Sequence, residues 1–356
     1  MAATQLYHSL ISQIRHYLPR QHAYRVRNLA WMMVGIFYSK SVHLAKIANK
    51  IPGHAHRASR EQRLRRFLKN PVVRVRPWYR STAQQLLQAA AASGEIRLII
   101  DATKVSAHHQ LLMVALAYRR RVLPIAWTWV RKPRGHSTGH KQLALLNYVR
   151  SLLPPQARVI LVGDSEFTPL LWAAKASGWY FVLRQKGNHL FQAQEGTPWQ
   201  RPDSLVTKPG QARWLENVLL TQQHSHKCHL LAWWKPSEKE PWLLATNLPS
   251  SRATKRYYCF RMWFEEMFAD LKGLGFDLER SRLRHFLRLS RLTLVIAWLY
   301  LWLVAFGSAV TKQGRRKEVD YPHRRDLSIF RIGYDMLERC LINQWRYHLR
   351  LIPYFT

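Results

Sequence analysis

Apolar residues recur at helical spacing through RVRNLAWMMVGIFYSK (25–40), predicting a first amphipathic helix. A second is predicted in SVHLAKIANK, with Ser41 placed to cap it and Pro52-Gly53 to end it. Ser59 and Gln62 form a capping-box pattern ahead of EQRLRRFLKN, which Pro71 stops. After Gly94 the period changes from helical to alternating. EIRLIIDATKV, QLLMVALAYRR and RVLPIAWTWV are strand-like runs at short spacing and predict an antiparallel meander. HKQLALLNYVRSLL then predicts a helix ended by Pro154-Pro155, and ARVILVG a short buried strand. TPLLWAAKASG predicts a helix with Thr168 as N-cap and Pro169 at its first position, and WYFVLRQK a further strand.

Between residues 188 and 251 the pattern breaks into short alternating runs, WLENVLL, HKCHLLAWW and PWLLATNL, separated by Gly and Pro. RYYCFRMWFEEMFADLK predicts a helix closed by Gly273. From Leu292 to Thr311 twenty residues carry no charge. Length and the Arg-rich flank suit a membrane span, but Thr293, Trp298, Tyr300, Trp302 and Ser308 punctuate the run and no second span accompanies it. A helix buried inside a large domain is the preferred reading. The last 45 residues are expected to be helical.

Three strands, helix, strand, helix, strand is the order of a ribonuclease-H-like α/β core. The fold expected is therefore α/β: a ribonuclease-H-like catalytic core (95–187 and 252–311) interrupted by a β-rich insertion (188–251). Helical segments flank it at 1–94 and 312–356, the latter a candidate for dimerisation.

Charge changes this picture. The chain of 356 residues holds 56 Lys plus Arg against 20 Asp plus Glu, a net charge of +36. Such an excess repels itself unless a polyanion neutralises it, which points to nucleic acid first and an anionic membrane second. Residues 1–94 contain a single acid, Glu61, and carry +15. Short Arg-rich helices of this kind suit an N-terminal helical DNA-binding domain of helix-turn-helix type. An apolar content of 47% excludes a disordered chain. Three scattered cysteines exclude a disulfide framework and a four-cysteine zinc site, so the chain reads as reduced and intracellular. No signal-peptide pattern occurs at the N-terminus, and no phosphate-binding glycine motif, so no nucleotide cofactor is expected.

In a chain this poor in acids each carboxylate asks for a reason. Asp101 and Asp164 have no acid between them, and each is expected at the C-terminal end of an apolar strand, the edge where α/β sheets place ligands. Two carboxylates in Arg- and Lys-rich surroundings suit Mg²⁺ ions and substrate phosphates, although each could equally cap a turn or pair with an arginine. On a regular helix Tyr258, Arg261, Glu265 and Lys272 fall within an arc of about 60°, while Phe260, Phe264, Met267, Phe268 and Leu271 form a separate apolar face. Glu266 and Asp270 point off the polar stripe.

The spacing Tyr258-x2-Arg261-x3-Glu265-x6-Lys272 resembles the signature of DDE transposases of bacterial insertion sequences of the insertion-sequence-four type. Asp101-Ala-Thr-Lys-Val, Gly163-Asp164-Ser-Glu-Phe and Phe181-Val-Leu-Arg-Gln-Lys resemble the same family in order and spacing, over roughly residues 25–310. The resemblance implies that Asp101, Asp164 and Glu265 are the catalytic, metal-binding triad for two Mg²⁺ ions, with Mn²⁺ able to substitute. It implies that Tyr258, Arg261 and Lys272 hold the 5′ side of a cleaved DNA end, and that a Trp of the insertion stacks on a flipped base. Trp242 is the matching residue, with Trp233 and Trp234 as rivals and core packing as the alternative. Arg184 and Lys186 are expected to contact DNA, and Lys104 more weakly. The implied protein is a cut-and-paste transposase that binds terminal inverted repeats and target DNA as a homodimer, in the bacterial cytoplasm at the nucleoid and not at a membrane. A non-catalytic DNA-binding protein on the same scaffold and a structure-selective nuclease are the rivals.

Three further features are discounted. In His224-Ser-His226-Lys-Cys228-His229, His224, His226 and Cys228 alternate as zinc ligands on one strand face would, but no second ligand pair at usual spacing lies nearby. His136 and His140 straddle Gly139 in an expected loop. Glu166 is two residues from Asp164 and could be a ligand in its place, but reads rather as a favourable charge at a helix N-terminus before Thr168.

Overall fold

The computed structural model describes residues 2–106, 108–131, 137–223 and 225–355. Five helices come first: α1 (Ala2–Tyr17), α2 (Ala23–Ser39), α3 (Leu44–Lys50), α4 (Arg57–Lys69) and α5 (Val75–Ala92). The predicted meander follows as β1 (Ile96–Ser106), β2 (His109–Tyr118) and β3 (Arg121–Arg131), paired antiparallel. Then come α6 (Gly139–Arg150), β4 (Val159–Gly163), α7 (Leu171–Ala176) and β5 (Tyr180–Arg184), with β4 parallel to both β1 and β5. Pro124 is tolerated in β3 because that strand is an edge, and it sits where the ladder shifts register between Val114 and Ala115.

The segment expected as an insertion does not form a sheet of its own. Its strands β6 (Phe191–Gln192), β7 (Ala212–Leu220), β8 (His226–Trp233) and β9 (Trp242–Thr246) continue the first sheet, in the order β3-β2-β1-β4-β5-β9-β8-β7-β6. The join is β9 against β5, antiparallel, with Leu183 opposite Ala245. All five residues of β9 are buried, which explains why PWLLATNL reads as continuously apolar.

Four local expectations change. Helix α3 starts at Leu44, and the Ser41 hydroxyl instead accepts the N–H of His43 in the loop before it. Helix α4 starts at Arg57, so Ser59 lies within its first turn and no capping box forms. Before α7 the chain makes a 3-10 turn, Ser165–Leu170, capped by Asp164 rather than Thr168. Pro169 has no N–H to give an α-helical ladder, so the regular helix begins only after it. The single helix predicted around Glu265 is two: α8 (Ser251–Tyr258) and α9 (Met262–Leu271), joined by a 3-10 turn over Cys259–Arg261.

Helix α10 (Phe286–Lys312) is the apolar run, and it is long and apolar enough to cross a membrane. Its most apolar window is 94% buried inside the protein. Three of the polar residues that punctuate it, Thr293, Trp298 and Ser308, are hydrogen-bonded internally, whereas the Tyr300 hydroxyl and Trp302 Nε1 are buried without a partner among the described residues. The Thr293 hydroxyl accepts Trp129 Nε1 at 3.0 Å, Trp298 Nε1 donates to Thr82 at 3.1 Å, and Ser308 meets the Tyr118 hydroxyl at 2.7 Å. Arg291, also buried, donates to the carbonyls of Leu68 and Val73 at 2.8 and 2.9 Å and so ties the end of α4 to α10. Beyond the end of α10, the described part of the last 45 residues, expected to be helical, is so only in a 3-10 turn (Arg315–Glu318) and in helix α11 (Ile329–Ile342), which packs on α10 and stacks Tyr334 on Phe37 of α2. The basic N-terminal helices, α10 and the C-terminal helix thus share one hydrophobic core that runs from Leu6 to Leu351.

Candidate active site

Ile100 of β1 pairs with Gly163 of β4, so the next residues on two parallel neighbours, Asp101 and Asp164, stand side by side. Asp101 is not at the end of its strand, because β1 continues to Ser106 along β2; it marks where the pairing with β4 stops. Gly163 is packed on by Ile100 and Leu183, and a Cβ there would lie 3.0 Å from Ile100 Cγ2. A larger residue would push Asp164 away from β1.

The third carboxylate arrives from α9. Arg261, the last residue of the 3-10 turn, donates to Glu265 at 2.6 Å and to Asp164 at 3.0 Å, and lies 3.9 Å from Asp101. One guanidinium therefore bridges Asp101, Asp164 and Glu265. The tighter 3-10 turn makes this possible: three residues at three per turn add about 60° of rotation relative to an α-helix. Asp101 is only 8% exposed. Burial pushes its carboxyl up to about 7, against the opposing charge of Arg261 and its own hydrogen bond from the Ala102 N–H. Burial works against the Arg261 charge as well, but Asp101 and Asp164 outweigh it and raise the guanidinium pKa further.

Lys272 caps the C-terminal end of α9, donates to the carbonyl of Lys104 on β1 at 2.8 Å and pairs with Glu279 at 3.0 Å. Tyr258 is buried, behind Arg261, and burial raises its hydroxyl pKa. Its ring lies edge-on to Trp242 at 4.8 Å. Trp242 itself is 5% exposed in β9 and also packs on Trp233, so it supports the wall beneath Tyr258 and offers no open face. Arg184, at the end of β5, reaches to 3.9 Å from Asp164 while bonded to Glu240. Lys186 is exposed two residues on. Glu166 accepts the Ser137 hydroxyl at 3.3 Å from the first turn of the 3-10 helix. Glu266 and Asp270 leave the site, both pairing with Arg121. Of the histidine cluster, His224 lies outside the described residues; Cys228 is buried and His229 takes the N–H of Asn217. His136 also lies outside them.

Sequence reasoning missed that Arg261 stands among the acids, and that Glu240 and Glu279 hold Arg184 and Lys272 in place. Helical i,i+4 spacing offers the Arg261–Glu265 pair, but the reach of Arg261 to Asp101 and Asp164 and the Arg184–Glu240 pair join segments far apart in the chain, which no spacing rule reports. As a donor set, three carboxylates that share one cation have the hard oxygens and the charge a divalent metal requires. Among the described residues, no three His, Cys, Asp or Glu side chains are arranged as a ready metal cage. The donors fit a metal once the guanidinium gives way.

An acid triad where β1 and β4 part, with a raised carboxyl pKa at Asp101, has the marks of a functional site. Residues 92–302 match the family model of the transposase DDE domain, and the chain belongs to that family. No curated protein matches it. Among solved structures it is similar to a piggyBac transposase in a synaptic complex with hairpin DNA, with a TM-score of 0.43 and 10% identity, covering 96% of this chain and 79% of that one.

Proposed function

We propose that this protein catalyses cut-and-paste transposition. It binds terminal inverted repeats, hydrolyses phosphodiesters at the transposon ends by way of a hairpin, and joins the freed 3′ ends to target DNA. The observation that carries this reading is the convergence of Asp101, Asp164 and Glu265 on one guanidinium at the strand edge. Strands β3-β2-β1-β4-β5 serve as a ribonuclease-H-like core, and the Tyr258, Arg261, Glu265, Lys272 spacing supports kinship with bacterial elements of the insertion-sequence-four type.

DDE transposases generally use divalent metal ions. Asp101, Asp164 and Glu265 would hold two Mg²⁺ ions here, and metal at such a site activates water and offsets charge on the leaving oxygen. The protein's own groups do the positioning. Arg261 and Lys272 pair with phosphate oxygens on the 5′ side of the cut, with Tyr258 closing the wall behind them. Arg184 and Lys186 extend the cationic rim along the strand. Two copies acting on paired ends, in the bacterial cytoplasm, complete the reading.

Asp101→Asn and Glu265→Gln are expected to cut metal-dependent nicking by about a hundredfold or more, with DNA affinity retained in a mobility-shift assay. Absence of nicking by the wild-type protein would leave a DNA-binding protein on the same scaffold, and nicking that survives both substitutions would place the catalytic groups elsewhere. Cleavage without any joining of 3′ ends to target DNA would favour a nuclease.

A further inference from the structure

Beside Asp164 a cavity of about 860 Å³ opens between the 3-10 turn with α7, the loop after β5 and the turn from β7 to β8. None of its residues belongs to the triad. Trp172 stands on its wall with 65% of its surface exposed, an uncommon state for the largest apolar side chain. Around it lie three amide side chains, Asn188, Gln222 and Gln223, the exposed ammonium of Lys186 and, on the 3-10 turn, the half-buried Glu166. The floor is fixed: Gln185 takes the Thr168 hydroxyl at 3.3 Å and meets His189 Nδ1 at 3.1 Å.

A flat aromatic face, amides that both donate and accept, and a cation at the rim suit one chemical class: an unstacked nucleobase still joined to its phosphate. A duplex offers no free π-face to Trp172, whereas a strand leaving the Asp164 edge does. We infer that this cavity is a single-strand subsite. Trp172 stacks on a base of the DNA strand next to the scissile phosphate, and Lys186 takes that nucleotide's phosphate. The inference rests on the transposase reading for the identity of the strand, and it gives the stacking role to an exposed Trp rather than to the buried Trp242.

The test uses the full-length protein and fluorescence anisotropy with three probes: a labelled oligothymidylate, an abasic oligomer of equal length and a duplex. Trp172 is a surface side chain, so Trp172→Ala is expected to fold normally. It should lower affinity for the oligothymidylate by about tenfold or more. Affinity for the abasic oligomer and the duplex should stay unchanged, and Trp172→Phe should restore the loss. Lys186→Ala should instead flatten the salt dependence of oligothymidylate binding by about 0.7 log units per log unit of salt. Oligothymidylate affinity that is equal in wild type and Trp172→Ala overturns the subsite, as does an equal loss for all three probes. A failed transposase reading would show differently, as absence of nicking by the wild-type protein, because none of these binding measurements requires cleavage.

Discussion

At the scale of single residues, scarcity makes the acids legible. With no other carboxylate between them, Asp101 and Asp164 stand out in the bare sequence, and the register of β1 against β4 sets them side by side. Aromatic residues carry no such signal. Fifteen tryptophans share one sequence signature whether they pack or stack, and only exposure separates Trp242 at 5% from Trp172 at 65%. Trp242 touches Trp233 and Tyr258, so its indole is part of the frame behind Arg261. Trp242→Ala is therefore expected to cost about 3–5 kcal/mol of stability, the range for a truncated core aromatic. Urea unfolding reads this directly. Stability equal to wild type would place the indole outside the core and make it a base-stacking candidate again.

At the scale of elements, helices and strands are legible where period and breakers agree, as in β1 to β5. They are misread where a local cue competes with the chain's path: Ser59 has the chemistry of a cap but falls inside α4, and Thr168 yields its place to Asp164. The 3-10 turn at Cys259–Arg261 leaves no pattern to read, yet it brings the Arg261 guanidinium among the acids. The partner of a helix is equally hidden, since amphipathicity gives a face and not a neighbour. Helix α11 is the clearest case. Gly333 meets Gly307 of α10 so closely that a Cβ on Gly333 would lie 1.8 Å from the Leu303 carbonyl oxygen. Gly333→Ala must therefore separate the two helices, with an expected loss of about 3 kcal/mol or more, the upper end for overpacking. Gly273→Ala, with nothing within 4 Å of its Cβ, should stay within about 0.5 kcal/mol of wild type. Equal denaturant midpoints for the two variants would mean that α11 is not seated on α10 in solution.

At the scale of the whole molecule, the sequence announces a charge of +36 but not where it is spent. Part of it is engaged within the protein: Arg121 pairs with Asp270 and Glu266, Arg261 with the triad, and Arg291 with two backbone carbonyls. The exposed remainder is dense on α4 and α5, where Arg57, Arg65, Arg66, Lys69, Arg74, Arg76 and Arg80 all face outward and Glu61 is the one acid, already paired with Arg65. Because these helices share a core with α10, the exposed cationic surface and the acid triad belong to one body. Binding of duplex DNA should then weaken steeply with salt, by about 0.9 log units per log unit of salt for each phosphate neutralised. Replacing Arg66 and Lys69 with Ala should lower that slope by up to about two such contacts while leaving the unfolding midpoint unchanged. Arg291→Ala should do the reverse, lowering the midpoint because it orphans two buried carbonyls and leaving the slope intact. If both variants shift slope and midpoint together, the basic helices are not a DNA surface built on a shared core, and the exposed charge must meet its polyanion elsewhere on the molecule.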